Sequence, residues 1–257
     1  MPVCAKCSKS LEVEIEPDSD SDNESTSSTS NPTTFPDDVL LPCTCHFHWE
    51  CLLDNYTLDT CPACNTTIVS TVAGSSSAAA GSQQIIVDLN NEGGLQEGID
   101  ILPILREESY LRAYPEERKC RAFLEFCREG DHRAIAELLR SCSAEDGEGE
   151  GKSAEEVLRY QDTLDGGDSG LHAAVANGHR EVAWMLLLLA SDLPEMEFPA
   201  LVYQEAAALG VMRPDGGAGG QDIRGLRDSQ DRTAEDIAKE VGVIWNGWIG
   251  NARLAMP

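Results

Sequence analysis

Leu41-Pro42-Cys43-Thr44-Cys45-His46-Phe47-His48-Trp49-Glu50-Cys51-Leu52, followed by Thr60-Cys61-Pro62-Ala63-Cys64, is the stretch that decides how the first part of this chain folds. A further pair, Cys4-x2-Cys7, lies upstream of it. Two-residue gaps between cysteines let a tight turn aim two thiolates at one ion. Cys4, Cys7, Cys43, Cys45, His48, Cys51, Cys61 and Cys64 make four close pairs, enough for two closed tetrahedral zinc sites with no open position for catalysis. Ten cysteines across 257 residues are too few and too scattered for a disulfide scaffold. Structural zinc contributes about 10–16 kcal/mol per site in small zinc-finger peptides, so the module is expected to fold only with metal.

These residues resemble the RING finger family. The resemblance implies a cross-braced arrangement, with Cys4, Cys7, His48 and Cys51 on one zinc and Cys43, Cys45, Cys61 and Cys64 on the other. It also implies that Phe47 sits in the small core between the metals. The fourth ligand is usually His in this family. His46 therefore stands as an alternative to Cys45, although the family spacing favours Cys45. A PHD finger uses the same ligand types but needs an aromatic two residues before the seventh ligand, where this chain has Asp59. RING fingers recruit a charged ubiquitin-conjugating enzyme and orient its thioester for attack without forming a covalent intermediate. Leu52 and Pro62 match the family's docking surface. Lys6, Asn55 and Asn65 depart from it, with Tyr56 one residue from the missing aromatic.

The acidic excess sets limits on partners. Forty-five acidic against nineteen basic side chains give a net charge of −26, which excludes general affinity for nucleic acid or anionic membrane. Apolar residues at 41% suffice for a core, and aromatics at 5% favour helices over a large β-sandwich. The longest apolar run, Val182 to Ala190, falls far short of the ~20 residues of a membrane span. Met1-Pro2-Val3-Cys4 has no signal-peptide character, so a cytoplasmic or nuclear location is expected.

Composition suggests a RING-type finger over residues 1–68, interrupted by an acidic, Ser-rich insertion at about 11–40. Glu12 to Glu24 holds seven acids and no base, as a solvated loop would. Residues 69–83 contain a Gly/Ser/Ala run that reads as a flexible linker. Residues 84–115 read as a short strand, Ile85-Ile86-Val87-Asp88-Leu89, and a helical junction. From 116 to 257 the pattern is helical, with Gly- and acid-rich inserts at Asp146–Gly151 and Asp215–Gly220.

Within that last region, Leu171-His172-Ala173-Ala174-Val175-Ala176-Asn177-Gly178-His179-Arg180-Glu181-Val182 with Leu186-Leu187 resembles the ankyrin repeat. Asp231-Arg232-Thr233-Ala234-Glu235-Asp236-Ile237-Ala238, ending at Gly242, matches a variant of it. Gly178, Gly210 and Gly242 lie 32 residues apart, near the ankyrin period, which makes Tyr203–Gly210 a degenerate unit. Phe123 to Leu139, turning at Gly130-Asp131, forms an earlier one, separated by an insert of about 16 residues. About four units exceed the ~3 needed for a continuous core. The resemblances together imply a small zinc-stabilised cross-brace domain followed by an all-α ankyrin solenoid. His172 and His179 fall where ankyrin repeats use histidine for hydrogen bonds, not metal. Cys120, Cys127 and Cys142 form no paired motif, and Trp245, Trp248 and Ile249 are expected to cover the end of the stack.

Ile85–Leu89 also resembles a SUMO-interaction motif, an apolar strand that augments a sheet edge; the plainer reading packs it on the repeats. Ser19 and Ser21, each three residues before an acid, suit an acidophilic kinase. Two functional classes emerge. One is a RING-type ubiquitin ligase whose partners are a ubiquitin-conjugating enzyme and a protein substrate held by the repeats. The other is a non-enzymatic acidic adaptor or escort for a basic client, with zinc purely structural.

Overall fold

Ile85 and Val87 alternate with less buried neighbours, as a strand with one buried face requires, and both are at most 2% exposed. In the computed structural model they lie in the first of two units, Met1–Tyr110 and Leu111–Pro257. The structure describes residues 2–15, 33–54, 59–72, 82–144, 151–213 and 220–256.

The first unit begins with β1 (Glu12–Ile15) paired antiparallel to β2 (Thr33–Pro36). Next come β3 (Asp38–Leu40), β4 (His46–Phe47) and the short helix α1 (Trp49–Leu53). β5 (Ser70–Val72) pairs with β6 (Ser82–Gln84), so strands bracket the expected linker; its Gly/Ser/Ala run, 73–81, lies outside the described residues. β7 (Ile86–Asn91) and β8 (Gly94–Asp100) form a hairpin that joins β3 and β4 in a four-stranded antiparallel sheet of order β4-β3-β7-β8. Most of the acidic insertion, 16–32, is likewise outside the described residues, while its flanks supply β1, β2 and β3. Asp100 ends the sheet: its Oδ1 accepts from the Ile85 and Leu102 amides and so starts α2 (Leu102–Ala113).

Ile85–Leu89 packs into the first unit's own core, with Val39, Leu41, Phe47, Ile101 and Leu105. Moreover, β7 is hydrogen-bonded on both sides, to β3 and to β8, and a strand with both edges taken offers none to a further strand. Cys4 and Cys61 belong to this same buried cluster, so the cysteine groups and the apolar core are one structure.

The second unit is built of helices α3 (Arg118–Glu129), α4 (His132–Ala144), α5 (Ala154–Leu158), α6 (Gly170–Ala176), α7 (Arg180–Ala190), α8 (Ala200–Ala208) and α9 (Ala234–Val241). Its local signals are capping residues. Ser153 with Glu156, Ser169 with His172, and Thr233 with Asp236 each satisfy two first-turn amides reciprocally, opening α5, α6 and α9. Gly130, Gly178, Gly210 and Gly242 all have positive φ, at 82°, 78°, 72° and 84°. At Gly130 the requirement is double: the backbone is left-handed, and a Cβ there would come within 2.5 Å of the His179 ring.

α6 packs against α3 on one side and directly against α9 on the other. Small residues permit this closeness. Ala173 and Ala174 are buried, and a Cβ on Gly170 would lie 2.6 Å from Phe123. α8, which holds the expected degenerate unit around Tyr203–Gly210, packs against α7, and α6 meets α9 directly. Trp245 and Trp248 are fully buried in this core, and the Trp245 indole donates to the Val175 carbonyl at 2.9 Å.

Candidate metal centres

The site is built from two copies of one small turn. At Cys4–Cys7 the Cys4 amide donates to the Lys9 carbonyl (3.0 Å) and the Ser8 amide to the Cys4 carbonyl (2.8 Å). At Cys61–Cys64 the Cys61 amide donates to Thr66 (2.9 Å) and the Asn65 amide to Cys61 (2.9 Å), with identical spacing. Bridges Val3–Ser10 and Thr60–Thr67 close each loop, and the residue after the second cysteine is left-handed, Ser8 at φ 60° and Asn65 at 56°. Asn tolerates that conformation better than most residues, which gives Asn65 a backbone reason for its place.

The remaining ligands come from the segment between. Thr44, at φ 65°, reverses the chain between Cys43 and Cys45, and its amide donates to Leu41 at 2.8 Å. β4 then carries the chain to α1, which presents Cys51 one turn beyond His48. A hydrogen bond from the Ala5 amide to the His46 carbonyl (2.8 Å) ties the first turn to β4.

This geometry gathers the eight side chains into two groups, Cys4/Cys7/His48/Cys51 and Cys43/Cys45/Cys61/Cys64; within each group the ligand atoms all lie within 4.8 Å of one another. Numbered along the chain, pairs one and three meet, and pairs two and four meet. Phe47 is fully buried in the core that the groups share. His46 is in neither group. Its Nδ1 faces the Asp38 carboxylate, 2.8 and 3.0 Å from the two oxygens, and Cys45 takes the fourth position. None of the ten cysteines is in a disulfide.

The donor set fits a tetrahedral metal. With bonds of about 2.3 Å to sulfur and about 2.05 Å to nitrogen, tetrahedral zinc separates S from N by roughly 3.6 Å; His48 Nδ1 lies 3.3 Å from Cys7 Sγ and 3.8 Å from Cys51 Sγ. The other ring nitrogen, Nε2, donates to the Ser10 carbonyl at 2.7 Å, leaving the Nδ1 lone pair for a ligand role.

Thiol acidity points the same way. Burial raises the Cys4 thiol, but amide donors at Cys7, His48 and Lys6 outweigh it and bring it down to about 6. Burial, reinforced by the sulfurs of Cys4 and Cys7, pushes Cys51 up to about 12. In the second group, hydrogen bonds from the Thr66 side chain and backbone hold Cys64 down at about 6. There burial pushes Cys43 up, and burial together with the neighbouring sulfurs pushes Cys45 up. Sulfurs held this close become thiolates together only around a cation.

Sequence reasoning named all eight clustered residues, but not the Asp38–His46 pair, the Ser10 carbonyl behind His48, or Thr66 Oγ1, 3.2 Å from Cys64 Sγ. Those partners are set by strand pairing and turn shape, which carry no motif. Asn55 and Tyr56 lie outside the described residues. Among the described residues no helix is long and apolar enough to cross a membrane. Comparison of the chain with protein-family models, curated proteins and solved structures gave no match. The two groups of potential metal ligands define a zinc-finger-like region.

Proposed function

We propose that this protein is a RING-type ubiquitin ligase, with two zinc ions holding the first unit and the helical unit, read as ankyrin repeats, receiving a protein substrate. The observation that carries the reading is the interleaved pairing of four ligand pairs into two groups, with a separate helical unit on the same chain. Cys4, Cys7, His48 and Cys51 would hold one zinc, and Cys43, Cys45, Cys61 and Cys64 the other. Each set is complete with four protein ligands, so zinc supplies rigidity and no reactive position. Acceleration of ubiquitin transfer then comes from orienting a conjugating enzyme's thioester. Pro62, part-exposed beside Cys61, belongs to the surface that would dock that enzyme.

A second reading is favoured by particular residues. Lys6 stands exposed where the family places an apolar contact, and Asn65 lacks the guanidinium fork of the family's arginine. With a net charge of −26, these support a non-enzymatic adaptor that binds a basic client.

One assay separates the two. Zinc content is measured on wild type and Cys61→Ser, and both are tested for ubiquitin chains with a panel of conjugating enzymes. Two zincs with Cys61-dependent chains is the result expected of the ligase. Two zincs without chains from any enzyme overturns it in favour of the adaptor, whose binding falls steeply as salt rises.

A further inference from the structure

Because α8 packs against α7 rather than between α6 and α9, a cleft opens among α4, α7 and α8. It has a volume of about 290 Å³, with His132, Trp184, Met185 and Leu201 among its walls. That volume lies at the lower limit of small-molecule pockets and suits one or two bulky side chains better than a cofactor. One lining residue is apolar and exposed in a way that folding does not require: Leu201 is 69% exposed.

Charge selects the occupant. Glu181 and Glu205 line the cleft, and no lysine or arginine does. Arg253 approaches Trp184, 5.5 Å from the ring centroid, but its guanidinium is also engaged by Glu197 at 4.0 Å and by the Gly247 carbonyl at 2.9 Å. A second copy of a chain with net charge −26 is repelled, as is any anionic surface or nucleic acid.

We propose that the α4–α7–α8 cleft docks a lysine- or arginine-rich segment of a partner protein, which inserts a large apolar side chain against Trp184 and Leu201 while its cations face Glu181 and Glu205. The proposal deepens the reading of the helical unit as the protein-binding arm and rests on it. Mixed apolar and cationic contact makes the site selective, because neither property alone engages both the walls and the rim.

The test uses the zinc-loaded full chain and three fluorescein-labelled helical peptides. One is amphipathic with leucine and lysine, one has every leucine replaced by serine, and one has every lysine replaced by glutamate. The leucine–lysine peptide is expected to bind. Affinity should drop about tenfold or more with the serine peptide, with Leu201→Asp, and with the double variant Glu181→Gln/Glu205→Gln. Leu201 is exposed, so Leu201→Asp should leave the melting curve unchanged; if it does not, Leu201→Gln replaces it. Equal binding of the serine and leucine peptides would reduce the effect to bulk charge and overturn the proposal. So would indifference to both sets of substitutions, preference for the glutamate peptide, absence of peptide binding, or a dimer that buries Leu201. Ubiquitin transfer without added substrate is measured on the same variants. Lost peptide affinity with unchanged transfer concerns the cleft alone, and absent transfer with intact, Leu201-dependent affinity concerns the ligase reading alone.

Discussion

His48 Nε2 donates to the carbonyl of Ser10 at 2.7 Å, and this one bond turns the opposite ring nitrogen toward Cys7 and Cys51. A backbone acceptor 38 residues away in sequence thereby chooses the tautomer that can ligate a metal. His48→Ala is expected to lower zinc content from two ions per chain to one, and His48→Cys to keep two, because tetrahedral zinc accepts either donor. Atomic emission on protein freed of loose metal checks this. A His48→Ala chain that retains two tightly held zincs would remove His48 from the ligand set.

Cys45 and His46 are adjacent, yet they face different partners. Cys45 Sγ joins the second group, while His46 Nδ1 is committed to Asp38. Cys45→Ala should therefore lose one zinc, whereas His46→Ala should keep both and lose only a part-exposed pair worth about 0–1 kcal/mol. The same metal analysis decides it: zinc loss in His46→Ala but not in Cys45→Ala would reverse the assignment.

The contrast explains what was legible beforehand. Coordination constrains sequence over two or three residues, so the ligand pairs stand out in the chain. Asp38 reaches His46 only because β3 pairs with β4, and Asp38 also lies opposite Asn90 of β7. That pairing joins segments some fifty residues apart, which no local pattern encodes.

Asp162 is buried and binds two guanidiniums, those of Arg121 and Arg128. Its Oδ1 also accepts from the Leu164 and Asp165 amides at 3.0 and 3.1 Å, so one side chain both neutralises α3 and shapes a turn. Asp162→Ala removes a shared acceptor from two cations and two amides, of which Arg128 keeps Glu125 at 3.3 Å. The expected loss in urea denaturation is about 3–5 kcal/mol, the range for removing one partner of a buried pair. A loss under about 1 kcal/mol would mean that water replaces the carboxylate at little cost.

Gly130 (φ 82°, ψ 17°) is left-handed, whereas Gly242 (φ 84°, ψ −115°) combines positive φ with an extended ψ, and the two also differ in surroundings. Nothing lies within 4 Å of a Cβ built on Gly242, whereas one on Gly130 meets the His179 ring at 2.5 Å. That ring donates through Nε2 to the Arg128 carbonyl at 2.8 Å and cannot retreat without breaking the bond. Gly130→Ala should cost about 1–2 kcal/mol of backbone strain and, in addition, the displacement of the His179 ring. Thermal melts of Gly130→Ala in wild type and in a His179→Ala background separate the two, and equal losses would show that the ring moves freely.

His172 is fully buried, and burial lowers its pKa from the ordinary histidine value despite a hydrogen bond to the Arg232 carbonyl at 3.1 Å. The neutral ring fits both neighbours: Nε2–H donates to Arg232, and Nδ1 accepts from Ser169, whose Oγ is 2.7 Å away. Protonation would set a second donor against the Ser169 amide. The folded pKa lies below the unfolded one, so the unfolded chain binds the proton first as pH falls. The contribution is fully present above about pH 6.5 and is lost progressively as the medium becomes more acidic. Asp236 is held down at about 2 by hydrogen bonds from the Thr233 backbone and the Lys239 and Thr233 side chains, whereas burial raises the carboxyl of Asp168, whose charge acts on His172. Denaturation midpoints for the helical unit are expected to decline between pH 7.5 and 5.5, and the decline should be shallower in His172→Gln, which cannot take up the proton. An identical slope in both proteins would assign the pH dependence to groups other than His172.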